Sequence, residues 1–154
     1  MARLRSIKYE FWSSPQVVSC SLPARLLFVG LWNFCDDNGV HAASVSRLRI
    51  EVFPQDNLTD ESIRSMIGEL LDAGLLATYL VGDEAFWCVT GWSKHQRIDR
   101  PTYRHPLPDG NVKRMDDATR HAISTASRNA IIESNRRITS SRVLVPRYDT
   151  MRCE

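Results

Sequence analysis

Four cysteines, four histidines and eighteen carboxylates are the side chains with which this chain could do chemistry, and their spacing limits what that chemistry could be. Cys20, Cys35, Cys88 and Cys153 stand far apart with no C-x-x-C pair. That excludes a vicinal dithiol and the two close ligand pairs of a structural zinc site. Asp36-Asp37 is a carboxylate pair, but it runs into Asn38-Gly39, where turn formation explains it. A metal would need further ligands, and no D-x-D or H-x-x-x-H pattern stands near it. Cys35 and His41 could meet in space, yet a cysteine in an apolar helix is far more often packing than nucleophile. No G-x-x-x-x-G-K loop is present to cradle a phosphate. We therefore expect no catalytic residue, no metal, no cofactor and no enzyme activity.

Cations are the more promising set. The formal net charge of +2 hides an asymmetry: residues 1–90 hold 7 Lys+Arg against 11 Asp+Glu, and residues 91–154 hold 13 against 7. An acidic body of net −4 thus carries an extension of net +6, which suggests an anionic partner for the extension. Arg3, Arg5 and Lys8 form a basic N-terminal arm. Lys94, Arg97, Arg100 and Arg104 follow, interleaved with His95, Tyr103 and His105. Cations alternating with flat rings suit phosphate neutralisation and base stacking, so DNA or RNA contact is expected there. The alternative is that Trp92 and Tyr103 pack on the core while the arginines are merely solvated.

The elements that would position these groups are legible in outline. Ser21 can cap a helix with Pro23 in its first turn, and Ala24 to Cys35 is nearly all apolar before Asn38-Gly39. A helix apolar on almost every face belongs at the centre of a small domain, so Phe28, Leu31, Trp32 and Phe34 are expected in the core. Val40-His41-Ala42 reads as a short extended link. Ser44 can cap a second helix from Val45 to about Val52, with Arg47, Arg49 and Glu51 on its charged side. After the turn cluster Pro54-Gln-Asp-Asn57, Thr59 or Asp60 caps a third helix, roughly Glu61 to Ala73, ended by Gly74. Ile63, Met66, Ile67, Leu70 and Leu71 step by three and four and form its buried stripe. The period then changes: Leu75–Val81 and Ala85–Thr90 are β-rich runs around Gly82-Asp83-Glu84, a hairpin signal. Helix, short strand, two helices and a hairpin make an α+β winged helix-turn-helix, with residues 75–90 as the wing.

This places an N-terminal arm and short helix at 1–20, the winged-helix domain at 21–92, a basic extension at 93–110 and a Ser/Thr/Arg-rich tail at 111–154. From Leu107 onward few hydrophobics remain, and Ala118-Thr-Arg120, Ala126-Ser-Arg128 and Ser140-Ser-Arg142 make a loose repeat. So little apolar surface cannot offset the entropy of ordering. The tail is expected to be basic and largely disordered, with at most a transient helix around Ala118–Glu133. No run approaches the ~18–20 apolar residues of a membrane span and no signal peptide opens the chain. The expected setting is cytoplasmic, with reduced thiols and no membrane partner.

Several blocks also resemble a group of phage- and prophage-encoded replication proteins with an N-terminal winged helix. They are Met-Ala-Arg-Leu-Arg-Ser-Ile-Lys-Tyr-Glu-Phe-Trp12, Ala24-Arg-Leu-Leu-Phe-Val-Gly-Leu-Trp-Asn-Phe-Cys-Asp-Asp37, Glu51-Val-Phe-Pro54, and the run from Val89 to Pro106. The resemblance covers about residues 1–110 and implies DNA-associated work at phage replication in a bacterial host. It supplies no catalytic residues.

A winged helix sets its third helix in the major groove. Arg64 and Ser65 would then reach the groove, while Arg47 and Arg49 would hold phosphates. Against this, Glu61, Glu69, Asp72, Asp83 and Glu84 would face a polyanion. The main expectation is a non-enzymatic DNA-binding protein acting in replication initiation, its affinity carried mainly by the basic flanks. An adaptor binding a host helicase, its loader or a second copy of itself through the acidic face is the rival. A winged-helix transcriptional repressor is the third reading.

Overall fold

Three hydroxyls start three helices. Ser21, Ser44 and Thr59 accept the backbone N–H groups of Ala24, Arg47 and Ser62, and beside them begin α2 (Leu22–Phe34), α3 (Val45–Val52) and α4 (Asp60–Asp72). Each cap satisfies an N–H that the first turn leaves without a helical partner. These contacts belong to a computed structural model that describes residues 3–142. A 3-10 turn, Tyr9–Ser13, and the single-turn α1 (Pro15–Val18) precede α2.

The α4 stripe packs as its spacing requires, with Ile63, Met66, Ile67 and Leu70 buried and Leu71 half-buried. α2 is less central than its composition suggests. Ala24, Leu27, Phe28, Leu31 and Trp32 are buried, but Leu22, Leu26 and Phe34 are exposed, so Phe34 is not a core residue. It falls at the last position of the helix, where the chain turns away into Cys35–Gly39.

Val40–Ala42 is more than a link. It is β1, the edge of a three-stranded antiparallel sheet of order β1-β3-β2, with β2 at Leu76–Val81 and β3 at Glu84–Val89. Val40 lies opposite Cys88, and Val81 opposite Glu84. Gly82, at φ 60°, supplies the left-handed backbone at the first position of the two-residue hairpin turn. Alternation then assigns the faces. Leu76, Trp87 and Val89 join the helical core, while Ala77, Tyr79, Phe86 and Cys88 form the other face.

That second face corrects the expectation of a disordered tail. Leu107, Met115 and Ile123 bury against it, and the chain after the hairpin forms α5 (Trp92–His95) and the 26-residue α6 (Asp117–Arg142). Asp116 caps α6, its carboxylate accepting the Thr119 N–H at 2.7 Å. Ser127 Oγ accepts the Thr78 N–H at 3.1 Å, tying α6 to β2. A tail with little apolar surface orders here because a finished apolar sheet face awaits it, so few side chains of its own suffice. Arg120 is buried beneath α6, where Nη1 donates to the Val89 carbonyl at 3.0 Å and to Cys88 Sγ at 3.4 Å. From Ile132 to Ser140 every side chain is exposed. The remainder of the expected tail, residues 143–154 with Cys153, lies outside the described residues.

Candidate nucleic-acid interface

The basic extension is held by the turn that follows α2. Asp36 is fully buried and all its acceptor sites are directed at backbone N–H groups. Its Oδ1 accepts from Asn38 at 2.9 Å and Val40 at 3.2 Å, and its Oδ2 accepts from Arg104 and His105, both at 3.1 Å. Asp37 and Thr102 exchange two bonds, Thr102 N–H to Oδ2 at 2.7 Å and Asp37 N–H to the Thr102 carbonyl at 3.2 Å. Asn38 reaches further along, donating to the Lys113 carbonyl at 2.8 Å and accepting the Met115 N–H at 2.9 Å. Gly39 closes the turn at φ 75°, and a Cβ there would lie 2.5 Å from the Trp92 ring, so glycine alone fits. Three consecutive residues read from sequence as a simple turn thus pin residues 102–115. The surplus of side-chain acceptors over what one turn needs was the available signal, and sequence reasoning missed it.

Two residues of the N-terminal arm serve the same corner. The Arg5 side chain is buried, pairs with Asp37 at 3.0 Å, donates to the Trp32 and Cys35 carbonyls at 2.9 and 3.2 Å, and lies 4.8 Å from the Trp92 ring centroid. Arg3 also donates to the Cys35 carbonyl. These are cations at the negative end of α2, satisfying carbonyls that the last turn leaves without partners. Arg5 therefore holds the fold and is not available to a phosphate. Lys8 is exposed and donates to the Lys94 carbonyl at 2.8 Å, and Gln96 exchanges two bonds with the Ser6 backbone. The arm and the start of the extension are laced together.

Two sets of the remaining cations then contrast. Those of the α3–α4 pair are all matched: Arg47 to Glu51 at 2.9 Å, Arg49 to Asp60 at 2.7 Å and Arg64 to Glu61 at 2.8 Å. Ser65 is exposed on α4. Those of the extension are unmatched: among the described residues Lys94, Arg97, Arg100 and Arg104 are exposed and none forms an ion pair. Arg100 has φ 56°, a left-handed backbone that is uncommon for a side chain and is further disfavoured before Pro101. Thr102, bonded twice to Asp37, holds it there. His95 is exposed on α5, Tyr103 is half-buried, and Trp92 is buried with its indole N–H on the Asp37 carbonyl at 2.9 Å. The acidic face of α4 is also smaller than it reads. Glu69 accepts from Ser21 Oγ at 2.7 Å and Asp60 from Ser46 Oγ at 2.6 Å, while Asp72, Asp83 and Glu84 remain exposed.

Cys20, Cys35, Cys88 and His41 are placed for packing. Cys20, Cys35 and Cys88 are buried and free. Burial pushes the Cys35 thiol well up, with the Asp36 charge adding to it, and pushes Cys88 up to about 11 against the opposing pull of Arg120. A thiol so held is a poor nucleophile at neutral pH. His41 is buried between the Ala42 carbonyl at 2.6 Å and Glu51 Oε2 at 2.7 Å, with both ring nitrogens engaged. Among the described residues no three His, Cys, Asp or Glu side chains gather as a metal-ligand set, and no helix is long and apolar enough to cross a membrane.

Acid should loosen the pinned extension in two stages. Burial lowers the His105 pKa, outweighing the attraction of Asp36. A histidine depressed in the folded state adds stability above its unfolded value, and that stability is lost as pH falls below about 6.5. For Asp37, burial opposes ionisation, but the Thr102 N–H and the Arg5 guanidinium prevail and its pKa is lowered. Its contribution is present above the ordinary aspartate value and is lost as pH falls below about 4. The urea midpoint is expected to drop between pH 7 and 5, and His105→Gln to remove that first drop and leave the second. Equal drops in both proteins would clear His105.

No family model matches the chain, and no curated protein or solved structure does so either.

Proposed function

We propose that the chain is a non-enzymatic winged-helix protein that binds DNA chiefly through residues 94–104, with α4 lying over the duplex beside them. The observation that carries this reading is the division of its cations. The arginines of the α3–α4 pair are neutralised by neighbouring carboxylates, whereas those of the extension pair with no carboxylate among the described residues and are held on a pinned backbone. Unpaired cations on a fixed loop can release counterions from a polyphosphate without first breaking internal pairs. Support for the winged helix comes from the order α2, β1, α3, α4, β2, β3 and the β1-β3-β2 sheet. In this reading the wing differs from a free hairpin, because its outer face is covered by α6 and the extension.

Work at replication initiation in a phage or prophage rests on the resemblance of the sequence blocks. The expected contacts are Lys8, Lys94, Arg97, Arg100 and Arg104, with Ser65 and Arg64 closer to the bases. Fluorescence anisotropy with labelled duplex and single-stranded oligonucleotides, in 50 and 200 mM salt, tests it. Binding that weakens steeply with salt is the expected outcome. Absence of binding to either DNA at low salt would sink the reading and leave a protein partner as the better one.

A further inference from the structure

α6 covers the second sheet face with few apolar side chains. Its buried residues, among those described, are Arg120, Ile123 and Ser127, so one aliphatic group stands beside a cation and a hydroxyl. Thr119, Ser124 and Ile131 are half-buried, and nothing from Ile132 to Ser140 is buried. The other apolar groups that cover this face, Leu107 and Met115, precede the helix and belong to the segment pinned by Asp36, Asp37 and Asn38. Helices in proteins draw most of their stability from an apolar face packed on a neighbour, and α6 has little of one.

Arg120 loosens the fit further. A guanidinium is always charged and carries five N–H donors. Nη1 reaches the Val89 carbonyl and the weakly accepting Cys88 sulfur, but the buried Nε has no acceptor. Among the described residues no carboxylate pairs with the group. A charge taken out of water is compensated only by close pairing and full hydrogen bonding, and Arg120 has neither. It regains its hydration when the helix lifts. The start of α6 is tied down by the Asp116 cap and by Asp117, which accepts from Ser93 Oγ at 2.8 Å. Further along, Ser127 Oγ holds the Thr78 N–H of the edge strand β2. We propose that α6 is a releasable cover, lifting from the sheet about residues 116–117 while the helical core and the pinned segment stay folded, and uncovering Cys88 and Tyr79. Lifting involves none of the loop cations, so it is independent of DNA binding.

Cys88 lies against Arg120 and reports the lifting, whereas Cys35, fully buried in the helical core, reports global unfolding. Both thiols of the whole protein can be alkylated with iodoacetamide and followed separately by peptide mass spectrometry. Cys88 is expected to react at least about tenfold faster than Cys35, as local openings lie below global unfolding in free energy. Its rate should rise only weakly with urea, since lifting one helix exposes less surface than unfolding the chain. The Thr78 amide should exchange its hydrogen with the same weak urea dependence. Arg120→Met keeps a long side chain and removes the charge, so it should slow Cys88 alkylation by about tenfold. Cys88 reacting no faster than Cys35, with the same urea dependence, would overturn the proposal. Alkylation no slower in Arg120→Met would do so too, and the first comparison decides alone if that variant fails to fold.

Discussion

Asp36→Ala is expected to lower the free energy of unfolding by about 3–5 kcal/mol, because four backbone N–H groups lose a charged acceptor at once. The carboxylate accepts four backbone N–H groups, two from its own turn and two from residues 68 and 69 positions downstream. Each donor left buried without an acceptor costs roughly 1–3 kcal/mol, and partial relaxation keeps the total below their sum. Asp36→Asn should cost less, because one carbonyl oxygen survives while the amide NH₂ confronts one pair of donors. Urea unfolding of the full chain measures both, and hydrogen exchange should quicken at the Arg104 and His105 amides in particular. A change under 1 kcal/mol in the alanine variant would mean that the extension is held by its apolar contacts alone.

Arg97, Arg100 and Arg104 changed together to alanine should weaken DNA binding by about 10²–10³-fold near 0.1 M salt. Counterion release sets this size, since each phosphate that the protein ceases to neutralise removes about 0.9 units of log–log salt slope. The slope itself should therefore flatten by nearly three units, which anisotropy at four or five salt concentrations resolves. Arg47, Arg49 and Arg64 changed together make the contrast. Each already holds a carboxylate, and exposed pairs of this kind are worth only ~0–1 kcal/mol each, so folding should survive and the slope should change much less. If the two triple variants gave the reverse order, the duplex would lie on the α3–α4 face and the loop would be a bystander.

What could be read from sequence was whatever depends on near neighbours. Ser21 and Ser44 announce their helices because a cap acts within one turn, Thr59 or Asp60 leaves the third start open by one residue, and Val45 to about Val52 agrees with α3. The hairpin was legible from the change of period and from Gly82. What escaped depends on partners far along the chain. Arg5 sits 32 residues from Asp37, and Asp36 sits 68 from Arg104, so neither burial has a local signature. α6 escaped for a related reason. Its inward line, Thr119, Arg120, Ile123, Ser124, Ser127 and Ile131, is at helical spacing but mostly polar. A hydrophobic pattern could not reveal it, because the apolar half of that contact is carried by the sheet.

The covered sheet also bears on how the chain comes into being. All three strands and the four helices that precede the hairpin are complete in sequence at Val89, whereas the residues that shield the second sheet face run on to Ile123. At a synthesis rate of about 5–20 residues per second, those 34 residues take roughly two to seven seconds to make. Until residues up to Ile123 have also left the ribosome, Tyr79, Phe86 and Cys88 have no cover. A chain ending within residues 90–120 would carry a sticky sheet in place of a second core.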